Sequence, residues 1–295
     1  MINSLRVHLR ILSRFWAGMA LSAVFLAAAP PELDRARGLY ERTEYDAALK
    51  VLSGLPSKDA PALALMGRCY YMQGDPKKAS DYFEKAVALD PKQSDYQLWL
   101  GRAFGRRAET SSFVTAPGYA GKARVAFERA VELDGRNSEA ISDLFEYYLD
   151  APGFLGGGLD KAASLADRMA AMNPAEGAWA QARLAEKRKE FPKAEQQLQR
   201  ASELAPRQVG RIIDLAKFFA KSGRYQESDD AFRRAEAIAP DSPKLMFERA
   251  STYIRSKRNI DTAKQLLKRY LDASLTPDDP PRRDAEELLK QVSST

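Results

Sequence analysis

A glycine run with a lysine close behind, at the start of a helix, is a pattern that can cradle a phosphate on backbone N–H groups. The stretch 150-DAPGFLGGGLDKA-162 offers Gly156, Gly157, Gly158 and Lys161. A phosphate loop of this kind follows a strand and opens its helix with Gly-Lys-Ser/Thr. Here 138-SEAISDLFEYYLD-150 has the period of an amphipathic helix, and Lys161 lies between Asp160 and Ala162. A G-x-G-x-x-G fingerprint in a βαβ unit is also missing. The stretch reads better as a turn. Pro152 stops the preceding helix, the glycines reach positive φ without penalty, and Gly158 or Asp160 caps the next helix.

Other chemistry is tightly bounded. The chain has one histidine, His8, and one cysteine, Cys69. A lone thiol forms no intrachain disulfide and anchors no Cys/His metal set. If His8 belongs to a targeting segment, the rest of the chain has no histidine. Ser-His-Asp, Cys-His and HExxH chemistry are then excluded. Carboxylates remain, and a carboxylate-dependent enzyme using Asp150 and Asp160 beside the glycine loop is one alternative. Cys69, next to Tyr70, reads as a packed thiol. The sequence predicts no enzyme activity, metal or cofactor.

The elements that would carry any site repeat along the chain. In 63-LALMGRCYYMQGDPKKASDYFEKAVALDP-91, Leu63, Met66, Gly67 and Tyr70 recur at helical spacing. Ala79, Phe83, Ala86 and Pro91 follow the turn 74-GDP-76. A small residue opens each second helix, at Ala48, Ala79, Ala123, Ala162, Ala194, Ser228 and Ala263. The endings AVALDP, AVELDG, ASELAP and AEAIAP are copies of one unit.

This pattern resembles the tetratricopeptide repeat, W-x2-L-G-x2-Y, then A-x3-F, then P. With the N-terminal leader described below, it is similar to exported bacterial members of that family. The resemblance implies an all-α, right-handed superhelical solenoid of about seven helical hairpins with a C-terminal cap helix. The array is expected at residues 31–273, with hairpins at 31–57, 60–93, 94–137, 138–176, 177–208, 209–242 and 243–273. A linker and capping helix occupy 274–295.

Residues 1–30 differ in character. Arg6, Arg10 and Arg14 precede the uncharged run 15-FWAGMALSAVFLAAA-29. A basic flank and a short apolar core ending in small residues mark a secretory signal peptide or an N-terminal membrane anchor. Ala27-x-Ala29 suits a signal peptidase, whereas Pro30 and Pro31 do not. The protein is expected to be exported, either periplasmic or anchored in the inner membrane facing the periplasm. The rival is a cytosol-facing, membrane-anchored adaptor. The formal charge is +6, and the three leader arginines leave +3 (6 − 3) for the rest. That modest excess predicts no nucleic-acid partner. Membrane contact is expected only through the N-terminal segment.

The repeat spacing breaks twice. Ala79 to Ala123 and Ala123 to Ala162 are both long, and the extra residues fall at 106-RRAETSSFVTAPGYAGK-122 and 150-DAPGFLGGGLDKA-162. Insertions in neighbouring repeats mark one edge of a solenoid. The sequence therefore predicts two inserted loops that meet as a surface carrying Phe113, Tyr119, Phe154 and Leu155.

By the register of the repeat, first-helix residues line the concave face. These include Arg68, Tyr71, Arg102, Arg106, Glu146, Trp179, Arg183, Lys187, Ile213, Lys217, Lys221, Phe247 and Arg255. Basic groups interleaved with aromatics suit a protein or peptide partner, acidic or ending in a carboxylate. One subfamily clamps a terminal carboxylate with Lys and Asn on successive first helices. No Asn accompanies Arg68, Arg102 or Lys217, so that activity does not carry over. The sequence thus points to a non-enzymatic interaction scaffold, with cell-envelope assembly as the setting implied by the leader.

Overall fold

The computed structural model describes residues 31–293. The leader, with His8 and the expected cleavage region, lies outside the described residues. The described chain is fifteen α-helices and one 3-10 turn, with no strand. Seven hairpins follow one another: α1 (Pro31–Glu41) with α2 (Tyr45–Ser53), α3 (Ala60–Met72) with α4 (Pro76–Leu89), α5 (Ser94–Thr110) with α6 (Ala116–Leu133), α7 (Ser138–Asp150) with α8 (Leu159–Met172), α9 (Pro174–Lys187) with α10 (Phe191–Leu204), α11 (Val209–Lys221) with α12 (Tyr225–Ile238), and α13 (Pro243–Arg255) with α14 (Ile260–Asp272). α15 (Arg282–Ser293) packs on α13 and α14 and covers the last hairpin.

Simple steric rules produce the hairpin. Every small residue opening a second helix is buried, so the paired helices can approach closely there. The first-helix glycines have a matching reason. A Cβ on Gly67 would stand 2.9 Å from the Phe83 ring, and one on Gly101 would stand 2.5 Å from Phe127. The first helix thus gives up a side chain where the second inserts an aromatic, and the two motif halves fill one volume.

Prolines and caps set the joints. Asp59, Asp75, Asn137, Asn173 and Ser242 each accept a hydrogen bond from the first turn of the helix they precede. Pro174 opens α9 and does not close α8, because a first-turn proline forfeits no helical hydrogen bond. Asn173 alone separates α8 from α9 and caps the latter through Ala175 and Glu176 at 3.0 and 3.4 Å. The fifth hairpin therefore starts at Pro174, ahead of the expected 177.

The first expected loop is largely helix. α5 runs on to Thr110 and α6 starts at Ala116, so the extra residues lengthen both helices and leave a short turn. The Ala-Pro-Gly of 116–118 is the first turn of α6, a position that tolerates proline.

Candidate functional site

Successive first helices touch along the array, and α9 and α11 are the least closely packed of them. A cleft of about 760 Å³ opens at this joint. It brings together Glu146, Trp179, Arg183, Lys217, Lys221 and Arg255 from the residues expected on the concave face. Leu198 and Phe218, both buried, also line it. Two ion pairs span the joint, Glu176–Arg211 at 3.0 Å and Glu186–Lys221 at 3.2 Å. A second cleft of about 480 Å³ shares Glu186, Phe218 and Lys221 with the first and runs on to Phe191 and Pro192.

The expected basic lining is largely neutralised from within. Arg102 bonds Asp143 at 2.6 Å and Glu139 at 2.9 Å on the next first helix. Arg183 reaches back to Glu146 with two hydrogen bonds, at 3.1 and 2.7 Å. Lys187 pairs with Asp150 at 2.9 Å, and Lys217 with Glu248 at 2.9 Å. Arg68 pairs with Asp95. Arg106 turns to Glu109 on its own helix at 2.8 Å. These pairs form a ladder along the first helices, with partners mostly a repeat-length apart. Arg255 is exposed and has no ion-pair partner among the described residues.

The aromatics are similarly committed. The Arg68 and Arg102 guanidiniums each lie 4.8 Å from the Trp99 ring centroid. Tyr71 meets Trp99 edge-on at 5.4 Å. Phe247 packs on Tyr270 at 5.4 Å, as part of the last hairpin's core and not as a groove anchor. Trp179 carries Arg211 over its face at 4.8 Å while remaining on the cleft wall. Ile213 is core. At the floor of the ladder, burial holds Asp143 and Asp214 above the usual carboxylate range, against the pull of Arg102 and Arg211.

The glycine loop is closed on itself. The Gly156 N–H donates to the Gly153 carbonyl at 2.9 Å, Gly157 to Pro152 at 3.3 Å, and Gly158 to Tyr148 at 2.8 Å. Lys161 Nζ donates to the Gly156 carbonyl at 2.9 Å. The donors that an anion would need are thus already engaged. Gly156 adopts φ +87°, and a Cβ on Gly157 would stand 1.8 Å from the Ala151 carbonyl oxygen. Gly158 occupies the cap position of α8. Asp150 is tied to Lys187, and Asp160 is exposed in the first turn of α8.

The loop packs against α6, where Gly156 lies beside Arg124. This contact falls at Arg124, just past the first inserted stretch, and two of the four expected surface residues turn inward. Tyr119 stacks on Phe104 at 6.3 Å and accepts a 2.6 Å hydrogen bond from Arg107. Leu155 is half-buried, and its carbonyl accepts from Tyr147. Phe113 and Phe154 remain, 88% and 82% exposed.

Cys69 is fully buried, and burial pushes its thiol up to about 12. Among the described residues, no group of three His, Cys, Asp or Glu gathers to hold a metal. No described helix is long and apolar enough to cross a membrane.

Paired helices stacked in series, with a cleft on the first-helix side, define a helical-repeat solenoid of the kind that presents a binding surface. The tetratricopeptide-repeat family model matches residues 60–93, the second hairpin. No curated protein matches the chain in sequence. A thermophilic tetratricopeptide-repeat protein of Thermus thermophilus shares the fold at TM-score 0.52 and 22% identity, over 64% of this chain and 97% of that one. A tetratricopeptide-repeat protein of Parabacteroides merdae matches at TM-score 0.57 and 13% identity, over 89% and 98%. A chain of the APC/C hetero-tetramer Cut9–Hcn1 matches at TM-score 0.51 and 17% identity, over 90% of this chain and 49% of that one. One unit of the chain matches the tetratricopeptide repeat in sequence, and the array shares the fold of tetratricopeptide-repeat proteins.

Proposed function

We propose that the protein is a non-enzymatic scaffold that holds a segment of a partner protein in the cleft between α9 and α11. The observation that carries this reading is the cleft itself. It has an apolar floor at Leu198 and Phe218, a wall at Trp179, and an unpaired cation, Arg255, at its side. Such a site favours an apolar side chain inserted at the joint with an acidic group within a few residues of it. The groove's other bases face their own carboxylates, so the partner is expected to supply one well-placed negative charge and not an acidic run. The Cut9–Hcn1 neighbour, a subunit of an assembly by its description, is consistent with a role in holding proteins together.

Export, or anchoring with the array facing the periplasm, is part of the same proposal. Its support is the basic and apolar pattern of residues 1–30, and envelope assembly is the setting it implies. The exposed rings of Phe113 and Phe154 supply a second, smaller surface in this reading.

Affinity capture with the residue 31–295 chain tests the reading. A partner held in the cleft should bind at least about tenfold more weakly to Trp179→Ala and Arg255→Glu, the loss expected when one interface anchor is removed. Phe113→Ser should retain it. Equal capture by all three variants would place recognition elsewhere. Protease protection in intact spheroplasts would sink the exported reading while leaving the cleft reading intact.

A further inference from the structure

The two ends of the array meet. Residues 275–283, which run from the segment after α14 into the first turn of α15, lie against the first two hairpins. A crevice of about 180 Å³ is bounded by Thr43, Tyr45, Met72 and Gln73 on one side, and by Leu275, Thr276 and Asp279–Arg283 on the other. Arg283 Nη1 donates to the Gln73 carbonyl at 3.4 Å across 210 positions of sequence. The contact is therefore a consequence of the curl of the whole array and not of any local motif.

The segment making this contact is held in shape from its own side. The Thr276 N–H and hydroxyl both donate to Asp279, at 2.9 and 3.0 Å. Tyr270 donates to the Pro280 carbonyl, and Arg282 donates to the carbonyls of Leu271 and Ala273. Leu275 is buried against the last hairpin. A segment already ordered loses little entropy on making a distant contact.

The contact is also slight. α15 packs on α13 and α14, and no close helix–helix packing joins it to α2 or α3. Charged groups nevertheless face the junction. Asp279 and Arg282 line the crevice together with Tyr45. A preformed element touching a distant surface through a few polar contacts can open without melting either hairpin.

We propose that residues 275–283 are a latch that joins the last hairpin to the first two and closes the array into a ring around its concave groove. With the latch shut, a segment reaches the groove only through the ring's open faces. With it released, the array spreads and the groove opens along its length. The latch does not depend on what the groove binds, so it stands or falls separately from the scaffold reading.

Pulsed electron–electron spin resonance on the full array tests it. The single native thiol is removed by Cys69→Ala, and spin labels are placed at Lys77→Cys on α4 and Glu286→Cys on α15, both exposed. The expected result is one narrow distance distribution. It should broaden and move to longer distance in Arg283→Glu, which removes the bond to Gln73. It should do the same in Asp279→Ala, which dissolves the turn that shapes the segment. Unchanged helical circular dichroism would show that the hairpins survive both changes. A broad distribution in the parent, or a narrow one that neither variant alters, would overturn the latch.

Discussion

At the scale of single residues, the repeat explains why a position is small but not why it is polar. The second-helix slot holds Ala at six repeats and Ser228 at the sixth hairpin, and all seven are buried. The Ser228 hydroxyl has no hydrogen-bond partner among the described residues. A buried donor without a partner costs about 1–3 kcal/mol, whereas alanine fits the same backbone volume. Ser228→Ala should therefore stabilise the chain by about 1 kcal/mol, read as a shift in the urea midpoint at unchanged slope. Loss of stability would mean that the hydroxyl is satisfied by water. The groove bases show a related limit. Their positions on the first helices were legible from period alone, and the cleft gathers four of them, Arg183, Lys217, Lys221 and Arg255. Their neutralisation was not legible, because most of the carboxylate partners lie 27 to 41 positions away, on another helix of the stack. The acids were as visible in the sequence as the bases. What was missing was the register that sets Glu146 opposite Arg183.

At the scale of elements, joints between hairpins decide how the array responds to its surroundings. The sixth and seventh hairpins are tied by Asp229 on α12. It accepts two hydrogen bonds from Arg258, at 2.8 and 3.0 Å, and one from Tyr253 at 2.9 Å. Burial alone would raise this carboxyl, but the three donors outweigh it and hold Asp229 below the usual carboxylate range. A depressed folded-state pKa gives stability that is present above the unfolded value of about 3.9 and is lost as pH falls through the folded value. Asp229→Asn should thus cost about 1–3 kcal/mol at pH 7, and the gap between variant and parent should narrow as pH falls below the unfolded value of about 3.9. Urea unfolding at pH 7, 5 and 3 would check this, and a gap that stayed constant with pH would refute it. The sequence marked the hairpins well, because Gly67 with Phe83 and Gly101 with Phe127 carry their packing in their residue types. It misjudged the first insertion. Arg106–Thr110 and the start of α6 extend existing helices, and extra length in a periodic segment looks the same whether it loops out or winds on. Pro117 was misleading for the same reason, since first-turn proline and loop proline are indistinguishable without the cap.

At the scale of the whole molecule, a solenoid holds together through neighbours, so damage to one hairpin should stay local. Leu267 on α14 is fully buried among Met246, Tyr270, Leu275 and Ala285, which belong to the last hairpin, the following segment and α15. Leu267→Ala should cost about 2–5 kcal/mol through lost burial and the cavity left behind. In a chain with one shared core that loss would appear in every slowly exchanging amide. In this array the clusters are sequential: the core built from α3–α7 residues around Phe83 and Phe127 shares no residue with the one around Leu267. Hydrogen exchange should therefore show protection falling in α13–α15 while α3–α6 keep theirs. The turn at Gln73 and Gly74 is the informative exception. It lies several hairpins from Leu267 in the stack, yet Arg283 touches it. Faster exchange there, alongside unchanged α4 and α6, would mean that the ends communicate through the ring and not through the intervening hairpins. No period in the sequence encodes that meeting, because it arises from small rotations summed over seven units. Uniform loss of protection from α1 to α15 would instead show a single cooperative unit and contradict the nearest-neighbour account.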